Sequence, residues 1–231
     1  MEKNAVAVIT ARGGSKRIPG KNKRDFAGRP IICYSIEAAA ASGLFEEVMV
    51  STDDEEIARI AEEAGAAVPF MRSAASSDDF ATTDDVLMEV LEAYEKRGRK
   101  FTYMACIYPT APFVTAKKLK EAFRLLTENN ASGVMPVTGF SFPPQRGMWV
   151  KNGRLEYCYP ENALKRSQDL ETMYHDCGQF YFYDTEKFRA CRGDLKDGYV
   201  PMIVPETEVQ DIDNLSDWKL AEMKYQMMEK D

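Results

Sequence analysis

The chain has 231 residues, 45% of them apolar and 29% charged, with a net charge of −7, enough for one large α/β domain with a subdomain and a full core. The negative balance argues against nucleic acid as a partner, because a duplex binder needs a basic face to neutralise phosphates. No segment approaches the roughly 20 apolar residues of a membrane helix, and the opening MEKNAVAVIT lacks the apolar region and cleavage site of a signal peptide, so a cytoplasmic protein without a membrane partner is expected.

In chain order, residues 5–10 read as a short strand buried on both faces, since apolar residues do not alternate there. A helix is expected over RPIICYSIEAAAASG, with Pro30 in its first turn and Gly43 as its stop. The strand EEVMVS follows, then a helix over DDEEIARIAEEAG that Thr52 caps and Glu55 completes as a capping box. Further helices are expected over residues 83–96 and, capped by Thr115, over AKKLKEAFRLLTENN, with strands YMACIY and GVMPV after them. This β-α-β-α order predicts an α/β fold of three α/β/α layers, Rossmann-like, with a mostly parallel sheet. Residues 139–175 change texture. Asn152-Gly153 between MWV and LEYCY is a hairpin signal, so a partly antiparallel insertion is expected within a single domain spanning residues 1–231. Its aromatics (Phe140, Phe142, Trp149, Tyr157 and Tyr159) suit core and oligomer contact, hence a homodimer. GQFYFYD returns as a strand, and Ser216 is expected to cap a C-terminal helix. The five cysteines are scattered without a C-x-x-C pair, and His175 is the single histidine, which disfavours structural zinc.

The segment TARGGSKRIPGKN, residues 10–22, packs glycines and cations directly behind the first strand. It satisfies neither the Walker A spacing, which would need Gly at 15 and Ser or Thr at 22, nor G-x-G-x-x-G. Glycines let backbone N–H groups face phosphate oxygens, and Arg12, Lys16 and Lys21 strengthen such bonds with charge. Near the other end, Asp211 and Asp213 sit two apart on an extended run, which turns both carboxylates to one face. Hard Mg²⁺ prefers oxygen ligands of this kind, completed by water and phosphate.

ARGGSKRIPGKN resembles the N-terminal signature A-R-x-G-S-K-x-x-x-x-K-N of the CMP-sialic acid synthetases (CMP-N-acylneuraminate cytidylyltransferases). STDDEEIARIAEEAGA, YPTAPF and QDIDNLSDW resemble later blocks of the same family, so the likeness spans essentially the whole chain. The resemblance implies a GT-A-like nucleotidyltransferase fold and transfer of CMP from CTP to a nonulosonic acid, with release of pyrophosphate. It implies that Ala11, Arg12, Gly13, Ser15, Lys16 and Lys21 hold the triphosphate and that Asn22 helps read the cytosine. Arg72 and Thr83, in or beside MRSAASSDDFATT, would serve base and ribose. It also implies Mg²⁺ on Asp211 and Asp213, with Lys21, Arg12 and Asp211 as the catalytic groups. The sugar's anomeric hydroxyl would then attack the α-phosphorus in line.

Tyr108 stands where the sialic acid enzymes carry Gln before P-T-S-P. FSFPPQR, RSQDLE and YHDCGQFY are similar to the pseudaminic acid branch, whose sugar lacks the 9-hydroxyl and carries two acylamino groups. Tyr108, Thr110, Arg146, Arg166, His175, Gln179 and Tyr181 are the sugar-side candidates, the arginines as carboxylate partners. CMP-N-acetylneuraminate and CMP-legionaminate synthetases are the alternatives within the family. A glycosyltransferase using Asp211-x-Asp213 is the alternative outside it, and a silent CTP-binding module is another. The branch further implies glycosylation of flagellin or a surface polysaccharide in a bacterium.

Overall fold

β1 (Ala5–Thr10) shows why the sheet lies at the centre. Ala5, Ala7 and Ile9 pack into one buried cluster and Val6 and Val8 into another, so both faces of the strand are covered. The computed structural model describes residues 4–78, 80–191 and 198–228. After β1 come the two-residue strands β2 (Asp25–Phe26) and β3 (Arg29–Pro30), then α1 (Ile32–Ser42), β4 (Glu47–Ser51), α2 (Glu55–Glu63), α3 (Thr83–Glu95), β5 (Tyr103–Ile107), α4 (Ala116–Glu128) and β6 (Gly133–Gly139). The chain continues through the hairpin β7 (Met148–Lys151) and β8 (Arg154–Tyr157), then β9 (Tyr174–Asp176), β10 (Phe180–Asp184), α5 (Thr185–Cys191), β11 (Tyr199–Ile203) and α6 (Leu215–Met228).

The main sheet runs β11-β6-β10-β5-β1-β4, with β9 also paired to β6. β1 is parallel to both β4 and β5, and β11 is parallel to β6, whereas β10 runs antiparallel between β5 and β6. Helices α1, α2 and α4 bury Ile36, Ile57 and Leu119 on one face, and α3 and α5 bury Leu91 and Phe188 on the other. The expected three-layer α/β architecture with a mostly parallel sheet is therefore present. A third cluster joins Phe26, Ile31, Tyr34 and Phe113 to Ile212 and Trp218, tying the C-terminal segment to the strand-1 loop.

Local signals account for most element ends. Thr82 caps α3 in a reciprocal box with Asp85, Thr115 caps α4 by accepting from the Lys118 N–H, and Gly43 takes the left-handed conformation after α1. Three expectations need correction. Pro30 lies in β3 and not in the first turn of α1. The cap of α2 is Asp54, whose Oδ1 accepts from the Glu56 and Ile57 N–H groups, while Thr52 Oγ1 accepts from Asp54 N–H. A carboxylate placed next to the first turn outcompetes a hydroxyl two residues earlier. Likewise Asn214, not Ser216, caps α6, its Oδ1 accepting from the N–H groups of Ser216 and Asp217.

After β6 the chain leaves the sheet. Asn152 and Gly153, both with positive φ, form the tight turn between β7 and β8. All eight residues of these two strands are exposed.

Candidate active site

A cavity of about 540 Å³ opens where the ends of β1, β4 and β5 meet. β1 lies between the other two, and ligands of open α/β sheets bind at such a point, outside the carboxyl ends of the strands. Its lining includes Arg12, Ser15, Lys16, Lys21, Asn22, Arg72, Thr83, Tyr108, Thr110, Asp211 and Asp213. Thus residues from five separate stretches of chain converge.

The glycine-rich loop is held from beneath. Gly13 N–H donates to Asp53 Oδ1 at 2.8 Å. A β-carbon on Gly13 would lie 2.9 Å from the Asp54 β-carbon, so only glycine lets the loop sit this close to α2. Gly20 takes φ of 64°, a conformation that costs glycine little. The buried Asn22 donates its Nδ2 to the Arg12 carbonyl at 2.8 Å, stapling one end of the loop to the other. Arg12 also reaches over the cavity, with Nη1 3.3 Å from the Asp78 carbonyl.

Opposite the loop stands the acidic corner. Residues 211–213 are not part of a β-ladder, yet the alternation holds: Ile212 is buried in the third cluster while Asp211 and Asp213 line the cavity. Asp217 accepts the N–H groups of Asp213 and Asn214 through Oδ2, which fixes the turn into α6 and with it the direction of both carboxylates. Lys21 Nζ donates to the Ile212 carbonyl at 2.9 Å, between the two acids. Burial lowers the Lys21 pKa, partly offset by the two carboxylates. Asp211 is raised above the usual carboxylate range, first by burial and then by repulsion from Asp213. Arg17 pairs with Asp213 at 2.7 Å. Among the described residues no group of three or more His, Cys, Asp or Glu side chains gathers as a metal cage. Two carboxylates facing a glycine-rich basic loop fit a divalent ion such as Mg²⁺, which keeps water and takes ligand oxygens in preference to an all-protein cage.

Arg72 is 8% exposed. Its Nε donates to Ser51 Oγ at 3.0 Å and its Nη2 to the Ser51 carbonyl at 2.5 Å, at the end of β4. Burial lowers its pKa, and these bonds offset part of the cost of burying the charge. Thr83, the first residue of α3, sits with its Oγ1 3.5 Å from the Tyr108 hydroxyl.

A cytidylyltransferase family model matches residues 6–191. The chain belongs to the cytidylyltransferase family. As a cytidylyltransferase it is a nucleotidyltransferase enzyme, as the glycine-rich loop implied. It is 37% identical over 96% of both chains to a pseudaminic acid cytidylyltransferase of Campylobacter jejuni. Identity is 30%, over 94% of each chain, to a CMP-N,N'-diacetyllegionaminic acid synthase of Legionella pneumophila. The fold is shared with the structure of CMP:2-keto-3-deoxy-manno-octonic acid synthetase complexed with CTP, at a TM-score of 0.67 and 19% identity, covering 98% of this chain and 99% of that one.

Not every candidate of this cytidylyltransferase reaches the cavity. Ala11 is fully buried beneath the loop, its N–H given to the Ser51 carbonyl, and Gly13 acts as a spacer below it. Gln179 is buried, donating Nε2 to the Glu208 carbonyl, and its own carbonyl accepts from Tyr108 N–H. It supports the wall from behind, as does Tyr181. Arg146, Arg166 and His175 lie on the excursion after β6. Arg146 Nη1 stands 3.4 Å from Ser167 Oγ. Arg166 is spent on a two-pronged pair with Asp169 at 2.8 and 3.0 Å. The exposed His175 packs on Phe140. Conversely, Gly14, Arg17, Ser76, Asp78, Thr82 and Gly178 line the cavity without having been singled out. Arg17 stood within the basic loop and was the most legible of them. Asp79, in the segment expected to contact base and ribose, lies outside the described residues.

Proposed function

We propose that this cytidylyltransferase transfers CMP from CTP to a nonulosonic acid, pseudaminic acid first among them. The observation that carries the reading is the cavity in which a glycine-rich basic loop faces Asp211 and Asp213. Similarity along nearly the full length to pseudaminic acid cytidylyltransferases supports the choice of sugar.

In this reading Arg12, Lys16 and Ser15 hold the β- and γ-phosphates with the loop backbone, while Asn22, Arg72 and Thr83 meet base and ribose. The anomeric hydroxyl gives up its proton to solvent as its oxygen attacks the α-phosphorus, a new P–O bond forms, the bond to the β-phosphate breaks and pyrophosphate departs. Lys21 stabilises the charge that develops on the α-phosphate, and its partial burial strengthens that interaction. Mg²⁺, the divalent ion that Asp211 and Asp213 would hold, supplies charge neutralisation and lowers the pKa of the attacking hydroxyl when bound. Tyr108 and Thr110 form the sugar side.

The β7–β8 arm would cover its apolar surface against a second copy, giving a homodimer. Met148, Val150, Leu155 and Tyr157 share one face of the hairpin and are 48, 75, 68 and 39% exposed, a patch unusual for a monomer. Arg146 and Arg166 ride on this arm outside the cavity of their own chain, so a carboxylate contact from either requires arm movement or a second copy. No helix among the described residues is long and apolar enough to cross a membrane, and a CTP-dependent step belongs to the cytoplasm, where nucleoside triphosphates are made. The product would feed glycosylation of flagellin or a surface polysaccharide.

Purified protein given CTP, Mg²⁺ and pseudaminic, N-acetylneuraminic or legionaminic acid in parallel tests this reading through pyrophosphate release. Release with pseudaminic acid alone is expected. Release with another acid alone would overturn the choice of sugar, and CTP binding without release from any would overturn the transfer itself.

A further inference from the structure

The acidic corner of the cavity is charge-balanced by the chain itself. Asp211 and Asp213 bring two negative charges. Two positive ones face them: Lys21, whose Nζ donates to the Ile212 carbonyl between the two acids at 2.9 Å, and Arg17, whose Nη2 lies 2.7 Å from Asp213 Oδ1. Lys21 interacts electrostatically with both carboxylates and with Arg17, and Asp211 with Asp213, Lys21 and Arg17, so the four charges act as one group. Arg12 is a further cation within reach of Lys21. The two balancing cations are held differently. Lys21 is half-buried against a backbone carbonyl, whereas the Arg17 and Asp213 side chains are 68 and 44% exposed, so their pair can open without disturbing the core. Arg17 also lines the cavity. Arg17 and a divalent ion on Asp213 therefore claim the same carboxylate. The ion would meet an oxygen already shared with a guanidinium and would leave the corner with two uncompensated positive charges. Repulsion between cations a few ångströms apart opposes that. A triphosphate cancels the excess and offers the guanidinium new oxygens, which its planar fork of donors suits.

We propose that Arg17 is an exchangeable counter-ion: it holds Asp213 until nucleotide arrives and then passes to the phosphates, which makes tight binding of the divalent ion conditional on CTP. This rests on the reading of Asp211 and Asp213 as the ion's ligands. Ion and nucleotide then bind with positive coupling, and by linkage each tightens the other by the same factor. Lys21 cannot take this part, because its bond to the Ile212 carbonyl leaves no carboxylate to be vacated.

The test is Arg17→Gln, with Mn²⁺ as the probe. Mn²⁺ takes the same oxygen ligands as Mg²⁺, and electron paramagnetic resonance reads its free concentration. Without nucleotide, Arg17→Gln should bind Mn²⁺ about five-fold more tightly than the wild type, the upper scale for an exposed ion pair. Arg17→Lys keeps the charge and should stay within about two-fold of the wild type, since the effect is one of charge before geometry. With CTP bound, wild type and Arg17→Gln should hold Mn²⁺ alike. Calorimetry should then show that replacing EDTA by Mn²⁺ raises CTP affinity less in Arg17→Gln, by the same factor. None of these readouts needs an acid sugar or turnover. Equal Mn²⁺ affinities without nucleotide would overturn the proposal. So would a difference that persists undiminished with CTP bound, because Arg17 would then repel the ion without ever leaving Asp213. Adding Asp213→Asn to Arg17→Gln should abolish the tightened binding. Its survival there would overturn Asp213 as a ligand, and the proposal with it. If Asp213→Asn weakens Mn²⁺ binding while Arg17→Gln leaves it unchanged, the ion site stands and only the counter-ion is overturned.

Discussion

The strand-1 loop and the β7–β8 arm are opposite solutions to the use of a surface. The loop is polar and cationic, and it is pinned from three sides: by Asp53 under Gly13, by Asn22 across its ends, and by the Ile212 carbonyl on Lys21. The arm is apolar and aromatic, and its two strands pair only with each other. In the loop, burial of charge costs stability and is tolerated because the site uses it. In the arm, apolar area left in water forgoes stabilisation of roughly 25 cal/mol per Å², which a partner surface would recover.

The loop side of this contrast is broken most strongly at Asp211. Asp211→Asn should lower kcat by about 10²–10³-fold, the usual scale for one electrostatic group at a reacting centre, in a pyrophosphate-release assay with native circular dichroism. The same variant should be more stable than the wild type when melted in EDTA at pH 7. The sign follows from the raised Asp211 pKa. The folded state favours the protonated carboxyl, so its contribution is fully present below the unfolded pKa and is lost as pH rises through the folded value. At neutral pH the ionised group opposes folding, and the advantage of Asn should vanish near pH 3. Activity falling together with metal-free stability would instead make Asp211 a structural residue.

Gly13→Ala tests how tightly the loop is seated. The new methyl meets the Asp54 β-carbon, and overpacking of this kind costs about 1–3 kcal/mol. Urea unfolding should register that loss and calorimetry a weaker CTP affinity. An unchanged affinity would mean the loop can move aside freely.

The arm should respond in the reverse way. Replacing Met148, Val150 and Leu155 with Ser should leave the stability of the monomer within about 0.5 kcal/mol per site, as for other exposed positions. Sedimentation velocity should nonetheless show a dimer falling apart. A wild-type chain already monomeric at micromolar concentration would remove the arm's proposed role.

What could be read from residues alone follows the same division. The caps at Thr115, the Asn152-Gly153 turn and the alternation of Asp211, Ile212 and Asp213 rest on neighbours in sequence, and they survive folding. Thr52 and Ser216 yield the caps to a better acceptor two residues away, Asp54 and Asn214, and distances of that size are settled only by the path of the backbone. The basic loop was recognisable from its density of glycine and cations, Arg17 apart. Gly178 was not, because the wall it completes with Thr83 and Tyr108 is assembled from distant stretches of chain that the antiparallel placement of β10 beside β5 brings together. Periodicity reports burial and carries no information on strand direction. The apolar run FYFYD is equally compatible with either sense.

That placement also sets an order of assembly. β1, β4 and β5 can pair as soon as residue 107 has left the ribosome, but β6 joins them only through β10, which pairs with both. The whole arm is synthesised in between. β10 is thus the closing stitch of the sheet: without residues 180–184, β5 and β6 would face each other across an unfilled gap, each with an unpaired edge, the arrangement that invites pairing with another chain.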